Sequence, residues 1–292
     1  VITNYRRQLM GSSSPYTTGT ISFDSKLMSN LIPENSVLGI GAMLMYDQAM
    51  DNALKSTYAS LNISYDIQLA ESNSGGVHKL GVGIGGSYGH RMVDYSSLTF
   101  SEQFNGNGFD MNLPNGEYSL STMKPYYSSN AGLLYSYSSE MTNLDLGVAE
   151  YHLNKPEQTF LQDQNQHLPS RLVAHANLEH VINEQMVWNT NIIFMKQGVT
   201  DYFSVGSSIG YFLTEEKGIM VNAGLWYWKN NSILPYMGIS WQQLQMGFSF
   251  DILTSKLNQA AQKSSAFEFS LIFRGDRGKK TKHMYVIPCP WK

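Results

Sequence analysis

Between Thr57 and Leu69 the chain alternates almost without a fault. Thr57, Ala59, Leu61, Ile63, Tyr65, Ile67 and Leu69 share one face of an extended segment, while Tyr58, Ser60, Asn62, Ser64, Asp66 and Gln68 share the other. The product is a strand with one greasy side and one wet side. The pattern recurs from one end of the chain to the other, in segments long enough to cross a bilayer when tilted, roughly 9 to 11 residues each. A transmembrane antiparallel β-barrel is therefore the first expectation for the fold.

Composition bears on that expectation in two ways. Only 15% of residues are charged while 12% are aromatic, so the chain lacks what normally covers a soluble surface. Yet the mean hydropathy is only -0.26, and no uninterrupted apolar run of about 18 residues, the length a membrane helix needs, is present. Alternation reconciles the two, because a barrel averages an apolar outside with a polar lumen. A single domain is expected, since barrels of this length form one unit. The net charge of -3 and pI near 6.2 give no reason to expect nucleic acid. A single cysteine, Cys289, permits no internal disulfide and supplies no metal cluster. No signal peptide is visible at Val1, so the numbering is expected to begin inside the mature chain if the protein is exported.

Strands are predicted over residues 2–9, 16–24, 37–46, 57–69, 77–91, 130–139 and 144–152. A second set covers 171–182, 185–196, 202–213, 218–229, 233–241, 244–253 and 266–273, about fourteen in all. Phe203, Val205, Ile209, Tyr211 and Leu213 lie opposite Ser204, Gly206, Ser208 and Gly210. Leu244, Met246, Phe248, Phe250 and Ile252 lie opposite Gln245, Gly247, Ser249 and Asp251. The bulky face is read as lipid-facing and the small polar face as the lumen. Loop lengths test this, because an even barrel has both termini on one side and its alternate loops divide into long and short. Loops 92–128, 153–170 and 254–265 fall on one side and are long. Loops 140–143, 183–184 and 214–217 fall on the other and are short, with 25–36 as one longer connection among them. Tyr65, Trp188, Tyr211, Trp226, Tyr227, Trp228, Tyr236 and Trp241 lie near strand ends, where two aromatic girdles would place them. A soluble sandwich or lipocalin-like barrel is the competing architecture, but it calls for a denser charged exterior and fewer long strands.

Several motifs mislead. Gly81, Gly83 and Gly86 match G-x-G-x-x-G, but a phosphate cradle needs a strand, a tight turn and then a helix. Here alternation continues through Tyr88, so the glycines are expected to keep lumen space open or let the sheet bend. The histidines His78, His90, His152, His167, His175, His180 and His283 lack metal-ligand spacing, and no Ser, His and acid are marked out as a catalytic trio. No cofactor, metal or catalytic residue is expected. Asp66, Glu179, Asp251 and Glu268 are expected to face inward and to meet Arg6, Arg7 or Arg171 across the lumen, stiffening the barrel or setting selectivity. Arg274-Gly275-Asp276 has no meaning as an adhesion tripeptide at the inner end of a last strand. With the barrel drawn over residues 1–274, a basic tail remains at 275–292, with Lys279, Lys280, Lys282 and His283 ahead of Pro288-Cys289-Pro290. It reads either as a disordered end or as a docking strap for a periplasmic partner or a segment tucked into the lumen.

These residues resemble the PorP/SprF-type outer-membrane proteins associated with type IX secretion and gliding in Bacteroidota. Tyr5-Arg6-Arg7-Gln8, then Pro15 to Asp24, is similar to the family's Y-R-x-Q-W…P-x-T…S-x-D start, with Leu9 where Trp is usual. The run Leu146-Gly147-Val148-Ala149-Glu150-Tyr151-His152-Leu153-Asn154-Lys155-Pro156 is similar to its G-x-S-x-x-H-L-x-x-P strand end. Met237-Gly238-Ile239, Gly247-Phe248-Ser249-Phe250-Asp251, Ser255-Lys256-Leu257 and Phe267-Glu268-Phe269-Ser270-Leu271 follow its G-I-x…G-Y-S-Y-D…S-x-L…E-I-S-L pattern in order. The family's N-P-A-x-x-G opening is absent.

The resemblance implies a multi-pass barrel in the bacterial outer membrane that works with the type IX machinery. In many members it captures the C-terminal domain of a secreted adhesin and holds it at the surface. Phe104, Phe109, Leu113, Tyr118, Phe160 and Leu168 in the long loops are the candidate partner-binding residues, unless they pack within the loops themselves. Expected partners are outer-membrane lipid, the cargo's C-terminal domain and periplasmic type IX components. Two alternatives stand beside cargo anchoring: a core secretion component touching the periplasmic motor or a peptidoglycan-bound lipoprotein, and a passive diffusion porin.

Overall fold

The computed structural model describes residues 1–9, 15–27, 33, 35–72, 75–95, 98–114, 123–159, 165–214, 218–254 and 265–275. Fourteen strands run in chain order: β1 (Ile2–Gln8), β2 (Tyr16–Leu27), β3 (Ser36–Ala49), β4 (Leu54–Glu71), β5 (Val77–Val93), β6 (Tyr126–Ser138) and β7 (Thr142–Tyr151). They continue as β8 (Arg171–Asn183), β9 (Met186–Gln197), β10 (Thr200–Thr214), β11 (Ile219–Trp228), β12 (Ser232–Trp241), β13 (Leu244–Leu253) and β14 (Ala266–Phe273). Each pairs antiparallel with its sequence neighbours, and β1 closes the barrel on β14, with Arg6 opposite Glu268. Closure leaves no free sheet edge, the condition a spanning sheet must meet in lipid.

The register keeps like faces together. Ile63 lies opposite Ile40 and Ile84, while Asn62 lies opposite Gly41 and Gly85. A one-residue slip would turn every following side chain over. The three register shifts, at Gln68/Ala70, Val181/Asn183 and Phe212/Thr214, all sit at strand ends beside short loops, where they leave the spanning faces undisturbed. On the outer face Leu61 and Ile84 are 65% and 67% exposed, and Leu44, Leu133, Leu213 and Met237 are exposed with them. An apolar band of that extent has no place in water and matches a hydrocarbon surroundings.

Two expectations need correction. The long loop drawn at 92–128 is shorter at both ends, because β5 runs to Val93 and β6 begins at Tyr126. Trp226, Trp228 and Tyr236 do not belong to a girdle: pairing with Gly206, Ser204 and Gly224 puts them on the lumen face, and Trp226 is only 2% exposed. Tyr65, Trp188, Tyr211, Tyr227 and Trp241 do project outward near strand ends. Trp188 Nε1 donates to Ser207 Oγ at 2.7 Å and the Tyr65 hydroxyl to Ser36 Oγ at 3.0 Å, so their polar tips are satisfied.

The lumen has two unlike halves. Across β9 to β12 the inward residues Ile193, Trp226, Leu234 and Tyr236 form a buried cluster, with Met195, Tyr202 and Trp228 packed against it. Across β2 to β7 the inward positions Asp24, Lys26, Gly39, Gly41, Asn62, Ser64, Asp66, Gly83, Asn130, Gly132 and Ala149 surround a cavity of about 390 Å³.

Candidate functional site

All five predicted lumen charges lie on the inward face, but they do not form one network. Asp251 and Glu268 converge on Arg6, with Arg6 Nη2 at 2.5 Å from Asp251 Oδ2 and Nη1 at 3.2 Å from Glu268 Oε2, all three buried. The partners come from adjacent strands, β1, β14 and β13, and not from across the lumen. Arg7 has the opposite parity and is exposed on the outer face. Glu179 accepts a hydrogen bond from Asn143 Nδ2 at 3.0 Å. It cannot meet Arg171, because both lie on β8 and a strand rises roughly 3.3 Å per residue, which puts them at opposite ends. Asp66 lies over Gly81 beside the cavity.

The glycines of the misleading G-x-G-x-x-G motif are now legible. Gly81, Gly83, Gly85 and Gly89 line the inner face of β5, whereas Gly86 points outward. A Cβ at Gly81 or Gly85 would collide with Asp66 or Asn62, so missing side chains let short polar neighbours lie flat on the wall. At Gly83 and Gly41 nothing but ordinary contact distance surrounds the position. Among the described residues no three His, Cys, Asp or Glu side chains gather where they could hold a metal ion.

At the long-loop end a polar arc follows the inner rim from β2 to β8. Gly89 stands between Tyr58 on β4 and Tyr126 on β6 in register, and the Tyr126 ring occupies the space a Cβ there would need. Arg91 Nη2 donates to the Tyr58 hydroxyl at 2.9 Å. Ser128 Oγ and His152 Nδ1 are 2.7 Å apart, and Arg171 sits 4.8 Å above the Tyr151 ring. Burial, with the Arg171 charge beside it, pushes His152 down from its ordinary 6.5 to about 4, so the ring is neutral at physiological pH. Tyr16 and Asp47 complete the arc.

Above the arc, loop 94–125 is tied to the barrel by backbone bonds from Asp94 N to Ala53 O at 2.7 Å and from Met123 N to Arg91 O at 3.0 Å. Phe104 and Phe109 pair across a tight turn, rings edge to face at 5.3 Å, with Asn105 Oδ1 accepting from the backbone N–H groups of Asn107 and Gly108. Although they touch each other they stay 53% and 55% exposed, and Met111 and Leu113 are exposed beside them. Leu168 is half-buried in loop 152–170, its N–H bonded to Pro156 O. Tyr118 and Phe160 fall outside the described residues, as do Ser255-Lys256-Leu257 and the tail from Asp276.

With a closed barrel whose longest loops all lie at one end, the comparison with known proteins is decided by one match: the family model for the type IX secretion system membrane protein PorP/SprF covers residues 1–273. The chain belongs to the PorP/SprF family. Among solved structures this PorP/SprF barrel is similar to the deltaS2 mutant of the TodX monoaromatic hydrocarbon channel, at 8% identity over 92% of this chain and 86% of that one, with a TM-score of 0.52. The P. putida toluene transporter TodX gives 10% identity, 94% and 89% coverage and a TM-score of 0.48. Outer membrane phospholipase A from Escherichia coli gives 9%, 92%, 89% and 0.37. At these identities the likeness speaks for the fold alone. No curated protein matches the sequence. The family and the fold together support an outer-membrane location for this PorP/SprF protein.

Sequence reasoning missed the arc and the aromatic cluster. A signal for the arc existed: Tyr58 and Arg91 have the inward parity of Asn62 and Gly83. Nothing in the alternation, however, reveals that Gly89 brings two tyrosines together across a strand.

Proposed function

We propose that this barrel is a non-enzymatic outer-membrane protein of the type IX system that binds the C-terminal domain of a secreted adhesin or other cargo and anchors it at the cell surface. The carrying observation is the apolar platform on loop 94–125. Phe104, Phe109, Met111 and Leu113 are held exposed on a loop whose ends are bonded to the rim, and an apolar cluster displayed on a restrained loop suits a protein partner. Membership in the PorP/SprF family supports the type IX setting, and the long loops face outward in barrels of this kind.

The test is to replace residues 98–121 with a short Gly-Ser linker and follow the cargo in cells. Release of cargo into the medium from a barrel that still assembles in the outer membrane is expected. Normal surface retention would overturn the proposal.

A further inference from the structure

At the long-loop end of β9, β10 and β11 three charged side chains gather on the outer wall of the barrel, the wall that faces lipid. Lys196 on β9 stands directly opposite Asp201 on β10 in register, which sets their Cβ atoms about 5 Å apart. Lys229, just past the end of β11, reaches the same carboxylate, its Nζ 3.3 Å from Asp201 Oδ2. All three have the outward parity of Phe194, Phe203 and Tyr227. Register therefore brings two cations onto one carboxylate. The Lys229 and Asp201 side chains are 51% and 53% exposed, and an ion pair so open to water holds its partners weakly. Along the same row Leu172 separates Lys196 from Glu150, which stands one strand further away.

Beneath these charges the wall is apolar. Phe194 and Phe203 pair across β9 and β10, and the Lys229 N–H donates to Phe203 O at 3.0 Å. The next row down is Ile192, Val205 and Tyr227. Height fixes where the charges lie. Asp201 stands ten residues along β10 from Tyr211, an outward aromatic at the short-loop end. At roughly 3.3 Å per residue and a tilt of about 40°, that climb is about 25 Å, the height of the apolar band of a membrane barrel. The lysines thus sit at headgroup level in the leaflet on the long-loop side, directly over a strip that touches acyl chains. Two lysines against one carboxylate leave positive charge for an anionic headgroup there.

We propose that Lys196 and Lys229 bind the phosphate of a lipid in the leaflet on the long-loop side, with its acyl chains against the Phe194, Phe203 and Tyr227 strip. Charge complementarity selects the headgroup, and continuity with the lipid-facing band selects a lipid over a soluble anion. The site depends on the membrane setting that family and fold support and is independent of cargo holding.

The experiment is native mass spectrometry of the purified full-length barrel in detergent with dioleoyl phosphatidic acid and with dioleoylglycerol, which differ only in the phosphate. Phosphatidic acid should bind about tenfold more tightly, the scale set by one or two lysines at an anionic lipid surface. The double variant Lys196→Gln, Lys229→Gln should bind the two lipids alike. Arg7→Gln, which removes an exposed outward cation on β1, should keep the preference. Equal binding of the two lipids by the native barrel overturns the site, whether or not the double variant assembles. A matching loss in Arg7→Gln overturns it as well, because any outward cation would then serve. Inorganic phosphate at the lipid's own concentration should leave the complex intact; displacement would assign the site to the free ion and overturn the lipid source.

Discussion

On the β9 to β14 side of the barrel, glycine lies beneath aromatic rings: Trp226 covers Gly206 and Gly224, and Tyr236 covers Gly238 and Gly247. On the β2 to β7 side the same residue, at Gly41 and Gly83, faces open lumen. The difference comes from the cross-strand neighbour. An aromatic folds down over a bare stretch of wall and buries it, while Ser64 or Asn130 lies flat and leaves the space free. One side therefore becomes a packed wedge, tied to the β1–β14 closure by Arg6, Asp251 and Glu268. The other keeps a cavity beneath the arginine arc. Buried packing and the ion-pair cluster lie on the first side and the polar cavity on the second.

The largest test of that contrast is Arg6→Met. It strands two buried carboxylates and should destabilise the barrel by about 3–5 kcal/mol, read from the urea midpoint of the protein in lipid vesicles. Asp66→Asn on the open side, where the carboxylate is half-exposed and has no ion-pair partner among the described residues, should shift the same midpoint by no more than about 0.5 kcal/mol. Comparable losses from the two would erase the distinction between the halves.

A gentler pair sharpens it. Gly206→Ala puts a methyl into the Trp226 ring, which is buried and has nowhere to go, and should cost about 1–3 kcal/mol. Gly83→Ala meets only Ile63 O at 3.7 Å and the Ser64 Cβ at 3.9 Å. It should be neutral or stabilising by about 0.5 kcal/mol, because alanine restricts the unfolded chain more than glycine does. A loss at Gly83 as large as that at Gly206 would mean the open wall is packed after all.

The smallest expected effect concerns His152 in the arc. Its folded-state value of about 4 lies below its ordinary 6.5, so the unfolded chain takes up a proton first as pH falls. The contribution is full above about pH 6.5 and declines as pH drops toward 4. Solvent screening of a half-exposed ring keeps the loss below about 1 kcal/mol. His152→Gln should flatten the change in unfolding midpoint between about pH 7 and about pH 5; an undiminished slope would assign it to other groups.

Much of this was legible from the chain. Leu244 to Leu253 and Ala266 to Phe273 are legible at their observed bounds, because one face there is wholly bulky and the other wholly small or polar. Asp251 and Glu268 are legible as lumen residues for the same reason. Around Trp226 the same logic gave the wrong face. In Gly224-Leu225-Trp226-Tyr227-Trp228 both parities carry large side chains, so alternation tells which residues are together but not which set points inward. The arc was beyond reach for another reason: Tyr58, Gly89 and Tyr126 come from three strands, and their meeting depends on register.

A two-faced strand repeated about fourteen times is already written in the chain, because period-two alternation is a local property of backbone geometry. The sequence also determines which ends carry the long loops, because loop length is written directly in the spacing of the strands. That the lumen is filled on one side and open on the other, and that Arg6 gathers two carboxylates, comes from the closed barrel instead. Those outcomes turn on which side chains closure and register bring face to face, and that pairing is a property of the whole ring of strands.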